Sequence, residues 1–186
     1  LTKSLDEEIS VEDANHLMNI KGHDLYPLLA TADFLRHQIV GDNVTFINNC
    51  NINFTNICTV RCGFCAFGKD ADGPEAYILN DEQILKKAEG AVANGAREFT
   101  LMGGVLPDAD IDYYEHLLTL LKDSHPDVAI HEFSPTMIRD ACRVSGMDIA
   151  EGFEILKDAG LDTLPGTAAE ILTDRSREII CPEKVS

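Results

Sequence analysis

Four times between residues 44 and 164 a short stretch of strand-forming residues gives way to an apolar stripe of helical period. That alternation leaves few folds open to the chain. The first strand is expected at residues 44–47, where Val44, Thr45, Phe46 and Ile47 are β-branched or aromatic. Further strands are expected at 98–102, ending in Gly103-Gly104, at 128–133 and at 161–164. Helices fill the intervals. Asn80 and Gln83 form a capping-box pair ahead of Ile84, Leu85, Ala88, Ala91 and Val92, and Gly95 ends that stripe. A second helix over 111–122 stops before Pro126. Ser134-Pro135 supplies a cap and a first helical position, and Asp148 with Glu151 opens a helix that ends at Gly160. A last helical turn or two is expected at 174–180. Strands separated by helices cannot pair as tight hairpins, so the pattern predicts an α/β fold with a parallel sheet and helices outside it.

Length then decides how much of such a fold is present. A closed barrel of eight βα units takes roughly 250 residues, and the chain has 186. Its first 40 or so are spent otherwise. Ser10 caps a helix over 11–19, Gly22 punctuates it, and Leu28, Leu29, Ala32 and Leu35 mark a second helix over 25–39. Gly41-Asp42-Asn43 is a turn. The expected organisation is an N-terminal helical segment, 1–43, followed by the first half of a (βα) TIM-type barrel, 44–186, with about four βα units. A half barrel leaves a raw sheet edge, and the sequence begins with Leu1 rather than Met. Both features predict that this is the front part of a longer chain.

The formal net charge is −17. An acidic surface repels nucleic-acid backbones and anionic membranes, so neither is an expected partner. No apolar run reaches the roughly 20 residues that span a bilayer, and no signal peptide opens the sequence. A cytoplasmic location is expected. Six cysteines in such a chain point to metal or catalysis rather than to disulfides.

Three of them stand on one loop as Cys58-x3-Cys62-x2-Cys65. Thiolate is the preferred ligand of iron–sulfur iron, and three thiolates hold three corners of a [4Fe–4S] cube. The fourth iron is then left without a protein ligand. In radical S-adenosylmethionine (SAM) enzymes that iron is chelated by the amino and carboxylate groups of SAM. Gly63 and Gly68 let the backbone wrap closely around such a cluster, and Phe64 is the residue type usual between the last two cysteines of such motifs. Cys62-x2-Cys65 alone also fits half a zinc site or a redox pair, but no second Cys pair or His pair completes structural zinc. Cys50, Cys142 and Cys181 have no ligand spacing and read as buried thiols.

In parallel barrels ligands gather at the C-terminal ends of the strands. Gly103 and Gly104 end the second strand, where exposed backbone suits the aminocarboxylate end of SAM; an ordinary βα turn is the alternative. His131, Glu132 and Ser134 end the third strand. Neighbouring residues alternate, so only one of His131 and Glu132 can face the barrel interior. Glu170 follows the fourth strand, where a carboxylate can accept hydrogen bonds from ribose hydroxyls or simply complement a helix N-terminus. His16, His23, His37, His116 and His125 lie on helices or their ends and read as surface or packing residues.

Longer stretches carry a resemblance. Asn51-Ile52-Asn53-Phe54-Thr55-Asn56-Ile57-Cys58 followed by Cys62-Gly63-Phe64-Cys65-Ala66-Phe67 resembles the deazaflavin and menaquinone-precursor branch of the radical SAM enzymes. So do Pro74-Glu75-Ala76-Tyr77, His131-Glu132-Phe133-Ser134-Pro135 and Pro165-Gly166-Thr167-Ala168-Ala169-Glu170-Ile171-Leu172 with Ile180-Cys181-Pro182. Within that branch, Thr167-Ala168-Ala169 is similar to the family of the second subunit of FO synthase, the tyrosine 4-hydroxyphenyl transferases. The resemblance implies a [4Fe–4S] cluster on Cys58, Cys62 and Cys65 and SAM as co-substrate; from the strand ends, the cofactor site is expected to include Gly103, Gly104, Ser134 and Glu170. It implies that the adenosyl radical takes hydrogen from the amino group of L-tyrosine, whose Cα–Cβ bond then breaks. The 4-hydroxybenzyl group joins 5-amino-6-(D-ribitylamino)uracil on the way to FO and coenzyme F(420). Further implied partners are a ferredoxin- or flavodoxin-type electron donor and FO synthase subunit 1. Glu132 departs from the small residue expected at its place.

Two alternatives stand beside this reading. One is a sibling of the menaquinone pathway, aminofutalosine synthase or the dehypoxanthine futalosine cyclase. The other is a non-catalytic Fe–S or zinc binding module.

Overall fold

Asparagine, a poor strand former by propensity, opens the sheet. The computed structural model describes residues 7–166, 171 and 173–184, and the chain divides into two units, Leu1–Phe46 and Ile47–Ser186. In the second unit the first strand, β1, is Asn49–Thr55. Residues 44–47, where the first strand is expected, hold no regular structure, and Val44 and Phe46 are exposed. The reason is periodicity. From residue 49 onward asparagines alternate with apolar residues, so Ile52 and Phe54 are buried while Asn49 and Asn51 stay exposed. Only this register buries one face, and burial outweighs the local propensity of residues 44–47.

β1 pairs in parallel with β2, Glu98–Gly103, which pairs in parallel with β3, Ala129–Ile130. The sheet order is β1-β2-β3. The expected third strand shrinks to two residues, and the expected fourth to one parallel bridge, His131 with Thr163. Asp162 secures that edge. Its carboxylate accepts hydrogen bonds from the Lys122 ammonium and the Ile130 N–H, both at 2.8 Å. Burial works to raise the Asp162 pKa, but these bonds and the Lys122 charge prevail and hold it below the usual carboxylate range.

Between the strands lie α3 (Asp81–Ala93) and α4 (Ile111–Ser124), and after β3 come α5 (Pro135–Ser145), α6 (Ile149–Asp158) and α7 (Asp174–Ile180). In the first unit stand α1 (Val11–Met18) and α2 (Leu25–Val40). The expected caps at Ser10, Asn80, Ser134 and Asp148 are in place: Ser10 with Asp13 and Asn80 with Gln83 form capping boxes, and Ser134 and Asp148 accept from first-turn N–H groups, as does Asp110, which sequence reasoning did not single out. α4 packs against α3, α5 and α6.

One face of the sheet thus carries Ile52, Phe54, Phe99, Leu101 and Ile130 into a core with Ile84 and Ala88 of α3 and Ile111, Leu117, Leu118 and Leu121 of α4. Tyr114 of α4 stands edge-on to Phe54, centroids 6.5 Å apart, and lies 4.5 Å from Phe133. Such ring pairs add about 0.5–1.5 kcal/mol each beyond area burial. The opposite sheet face bears Asn49, Asn51, Asn53, Thr100 and Met102, by register partners Asn51 with Thr100 and Asn53 with Met102. Asn49 donates to Glu98 at 2.7 Å and to Thr100 at 2.6 Å. The result is an α/β arrangement of parallel strands with helices on one side and a polar face on the other.

Candidate active site

The cysteine loop leaves β1 at its C-terminal end and is tied down at both sides. Thr55 and Asn56, both buried, act as clamps. Thr55 Oγ1 donates to the Tyr77 carbonyl at 2.8 Å, and Asn56 donates to the Glu75 carbonyl while accepting from the Tyr77 N–H. They fasten Pro74-Glu75-Ala76-Tyr77 to the root of the loop. Further on, Cys58 N–H donates to the Lys69 carbonyl at 3.1 Å, Lys69 N–H to Asn56, and Thr59 N–H to Val105. The Cys58 Sγ accepts from the Val105 N–H at 3.3 Å. Cys62 and Cys65 are joined by a turn, Cys65 N–H to the Cys62 carbonyl at 3.0 Å.

The ends of β1 and β2 approach so closely that side chains are excluded. A Cβ on Gly104 would lie 2.1 Å from the Ile57 carbonyl oxygen and 2.6 Å from Cys58 Cβ. A Cβ on Gly103 would meet the buried Phe54 ring at 2.6 Å. These glycines therefore set how near the cysteine loop sits to β2, a role separate from any ligand contact.

One cavity of about 390 Å3 gathers most of the sequence-derived candidates. Cys58, Cys62, Cys65, Gly103, Gly104 and Ser134 all line it. Ser134 is also the cap of α5, its Oγ accepting from Met137 N–H at 3.2 Å. Glu170 lies outside the described residues. Sequence reasoning missed Asn51, Asn53, Thr136 and Lys184, which line the same cavity. The two asparagines were findable: Asn-x-Asn-x-Asn with Ile52 and Phe54 between is a strand-period pattern that aims every asparagine at one side. Lys184 carried no such signal. Burial pushes the Cys62 thiol pKa up, while the nearby Lys184 ammonium works to lower it.

Glu132 and His131 do separate by alternation. His131 is half-buried and pairs through Nδ1 with Thr163 Oγ1 at 2.6 Å. Glu132, fully buried, has no hydrogen-bond partner among the described residues on either carboxylate oxygen. Burial holds its pKa well above the usual carboxylate value of 4.5. The folded state therefore keeps a proton that the unfolded chain gives up. Stability from this group is fully present below pH 4.5 and is lost as pH rises towards the folded-state pKa. Glu132→Met, which removes the unsatisfied carboxyl at similar volume, is expected to stabilise the protein by about 1–3 kcal/mol at neutral pH. It should also flatten the pH dependence, as urea denaturation at pH 5 and pH 8 would read.

The remaining histidines behave as packing and surface groups. His37 pairs with Asp42 and His116 with Asp81, each at 3.0 Å, and His125 stands edge-on to Phe99. Among the described residues no three His, Cys, Asp or Glu side chains converge as the ligands of a single metal ion do. None of the described helices is long and apolar enough to cross a membrane.

A parallel α/β sheet with three cysteines on the loop after its first strand defines a class, and comparison with known families agrees. The chain belongs to the radical SAM superfamily, whose family model matches residues 52–184. Among curated proteins it is similar to the 5-amino-6-(D-ribitylamino)uracil–L-tyrosine 4-hydroxyphenyl transferase of Methanothermobacter thermautotrophicus, 46% identical over 186 residues, which is 100% of this chain and 51% of the relative. The proteins of the same name from Methanococcoides burtonii and a Synechocystis species are 46% and 48% identical over 94% and 82% of the chain. These matches cover 47% and 40% of the two relatives. The chain thus spans about half the length of the curated relatives it matches. In fold it is similar to HydG, a maturase of the [FeFe]-hydrogenase, with a TM-score of 0.73 at 19% identity over 97% of this chain and 38% of that one. Methylornithine synthase gives a TM-score of 0.58 at 18% identity over 86% of this chain and 55% of that one.

Proposed function

We propose that Cys58, Cys62 and Cys65 hold a [4Fe–4S] cluster whose open iron takes SAM, and that the whole protein is a radical SAM tyrosine 4-hydroxyphenyl transferase. The observation that carries the proposal is the gathering of all three thiols with Gly103 and Gly104 in one cavity at the C-terminal end of β1 and β2. A cube spreads its thiolate ligands over separate irons, so a wall lined by three thiols suits it without the convergence that a single zinc ion needs. All six cysteines are free, in keeping with a reducing cytoplasm.

When bound, the reduced cluster with SAM supplies a 5′-deoxyadenosyl radical. The chain's own residues bind and shield. Gly103 and Gly104 would hold the aminocarboxylate end of SAM, Ser134 would contact the cofactor, and Glu170 would accept hydrogen bonds from its ribose hydroxyls. Val60, Phe64, Phe67, Met102, Val105 and Met137 form the apolar part of the wall. That wall excludes water from chemistry a primary carbon radical would otherwise lose to side reactions. The substrates are L-tyrosine and 5-amino-6-(D-ribitylamino)uracil. A ferredoxin- or flavodoxin-type protein supplies the electron, and FO synthase subunit 1 takes the product. The relatives' shared name supports this substrate choice.

The test uses the full-length protein, reconstituted anaerobically and reduced, with SAM, L-tyrosine and the diaminouracil. Mass spectrometry should detect the 4-hydroxybenzyl adduct. Absence of the adduct, with turnover of a futalosine-pathway substrate instead, would overturn the substrate assignment.

A further inference from the structure

A segment far downstream of the cysteine loop is laid across it. The Ile180 carbonyl accepts from Gly63 N–H at 2.7 Å, between Cys62 and Cys65. Glu183 accepts from the Arg61 N–H, one residue before Cys62. Lys184 extends over the Phe64 ring, its Nζ 5.2 Å from the centroid, and lines the cavity. Three successive anchors thus bring residues 180–184 onto the loop between Arg61 and Phe64.

The charge of the cavity is equally specific. Among the described residues that line it, Lys184 carries the only formal positive charge, and no Asp or Glu lines it. The rest of the chain is strongly acidic, at −17 overall. Three ligating thiolates bring negative charge to this wall, and one-electron reduction of a cluster adds more. A cation held at an apolar, partly desolvated wall interacts with that charge more strongly than one in bulk water.

We infer that Lys184 is a positioning and charge-balancing residue of the cysteine pocket, held there by the residue 180–184 strap so that its ammonium favours the reduced cluster. The inference rests on the cluster reading proposed above. The step it governs is transfer of one electron from the external donor to the cluster; no bond is made or broken in the protein.

The experiment compares full-length wild type, Lys184→Met and Lys184→Arg, each reconstituted, in mediated titrations with dithionite followed by electron paramagnetic resonance. Lys184→Met should disfavour reduction at least tenfold, which for one electron is about 59 mV towards more negative potential. Lys184→Arg should stay within about threefold of wild type, since guanidinium keeps the charge. An unchanged midpoint in Lys184→Met at wild-type iron content would overturn the inference. Should Lys184→Met load poorly, restored loading in Lys184→Arg supports the charge role, and equal loss in both variants refutes it. A wild type that takes up no cluster would instead sink the parent proposal.

Discussion

Replacing any one of Cys58, Cys62 and Cys65 by Ala in the full-length protein is expected to abolish the iron–sulfur cluster. The brown charge-transfer absorption should vanish, and iron should fall from about four per chain to background. The loss should be near complete for each variant, because a cube already lacking one protein ligand has none to spare. Folding should survive. Cys58 is anchored by its own backbone bond to Lys69, Cys65 is exposed, and Cys62 is held through the turn it shares with Cys65. Circular dichroism of the three variants should therefore match wild type. The contrast comes from Cys142→Ala, which touches a buried thiol packed against the Gly152 backbone, away from the cavity lining. It should change stability but not iron content. Retained cluster in any of the three loop variants would contradict the ligand assignment.

The second large effect is steric. Gly104→Ala forces a methyl group to within 2.1 Å of the Ile57 carbonyl oxygen and 2.6 Å of Cys58 Cβ. Backbone on both sides must move, since neither neighbour is the free end of a flexible side chain. Overpacking of this kind costs on the order of 1–3 kcal/mol or more. The displaced element is the root of the cysteine loop, so cluster content should fall along with the thermal midpoint. Gly90→Ala makes the control. Gly90 is exposed in the interior of α3 with open space where an added methyl group would stand, and Ala there should stabilise by about 0.5–1 kcal/mol. Opposite signs for the two glycines, read by chemical denaturation, are the expected outcome. Equal effects would mean that the close approach of β2 to the loop is not what Gly104 serves.

Much of this architecture was legible because its signals are local. Caps at Ser10, Asn80, Asp148 and Ser134-Pro135 mark helix starts, and the apolar stripe through Ile84 and Ala88 identifies a buried face. The cysteine spacing is likewise a single-loop pattern. What misled was the ranking of propensity over period. Val44 and Phe46 look more like a strand than Asn49, Asn51 and Asn53 do, yet only the latter alternate with residues the core can take. Lys184 was illegible for another reason. Its place beside Phe64 depends on a chain crossing between distant segments, which no window of sequence contains. The buried Glu132 sits between these cases: alternation said that only one member of the His131-Glu132 pair can face the barrel interior. With Ile130 in the helix-packed core it is His131 that falls on the opposite face, beside Thr163, while Glu132 is buried on the helix side.

This cysteine loop is expected to support reductive cleavage of SAM. The most direct measurement is formation of 5′-deoxyadenosine and methionine by the anaerobically reconstituted, dithionite-reduced full-length protein, followed by liquid chromatography. Both products should form together, and neither should form with Cys58→Ala, Cys62→Ala or Cys65→Ala. A protein that binds one zinc per chain and leaves SAM intact on reduction would contradict that expectation.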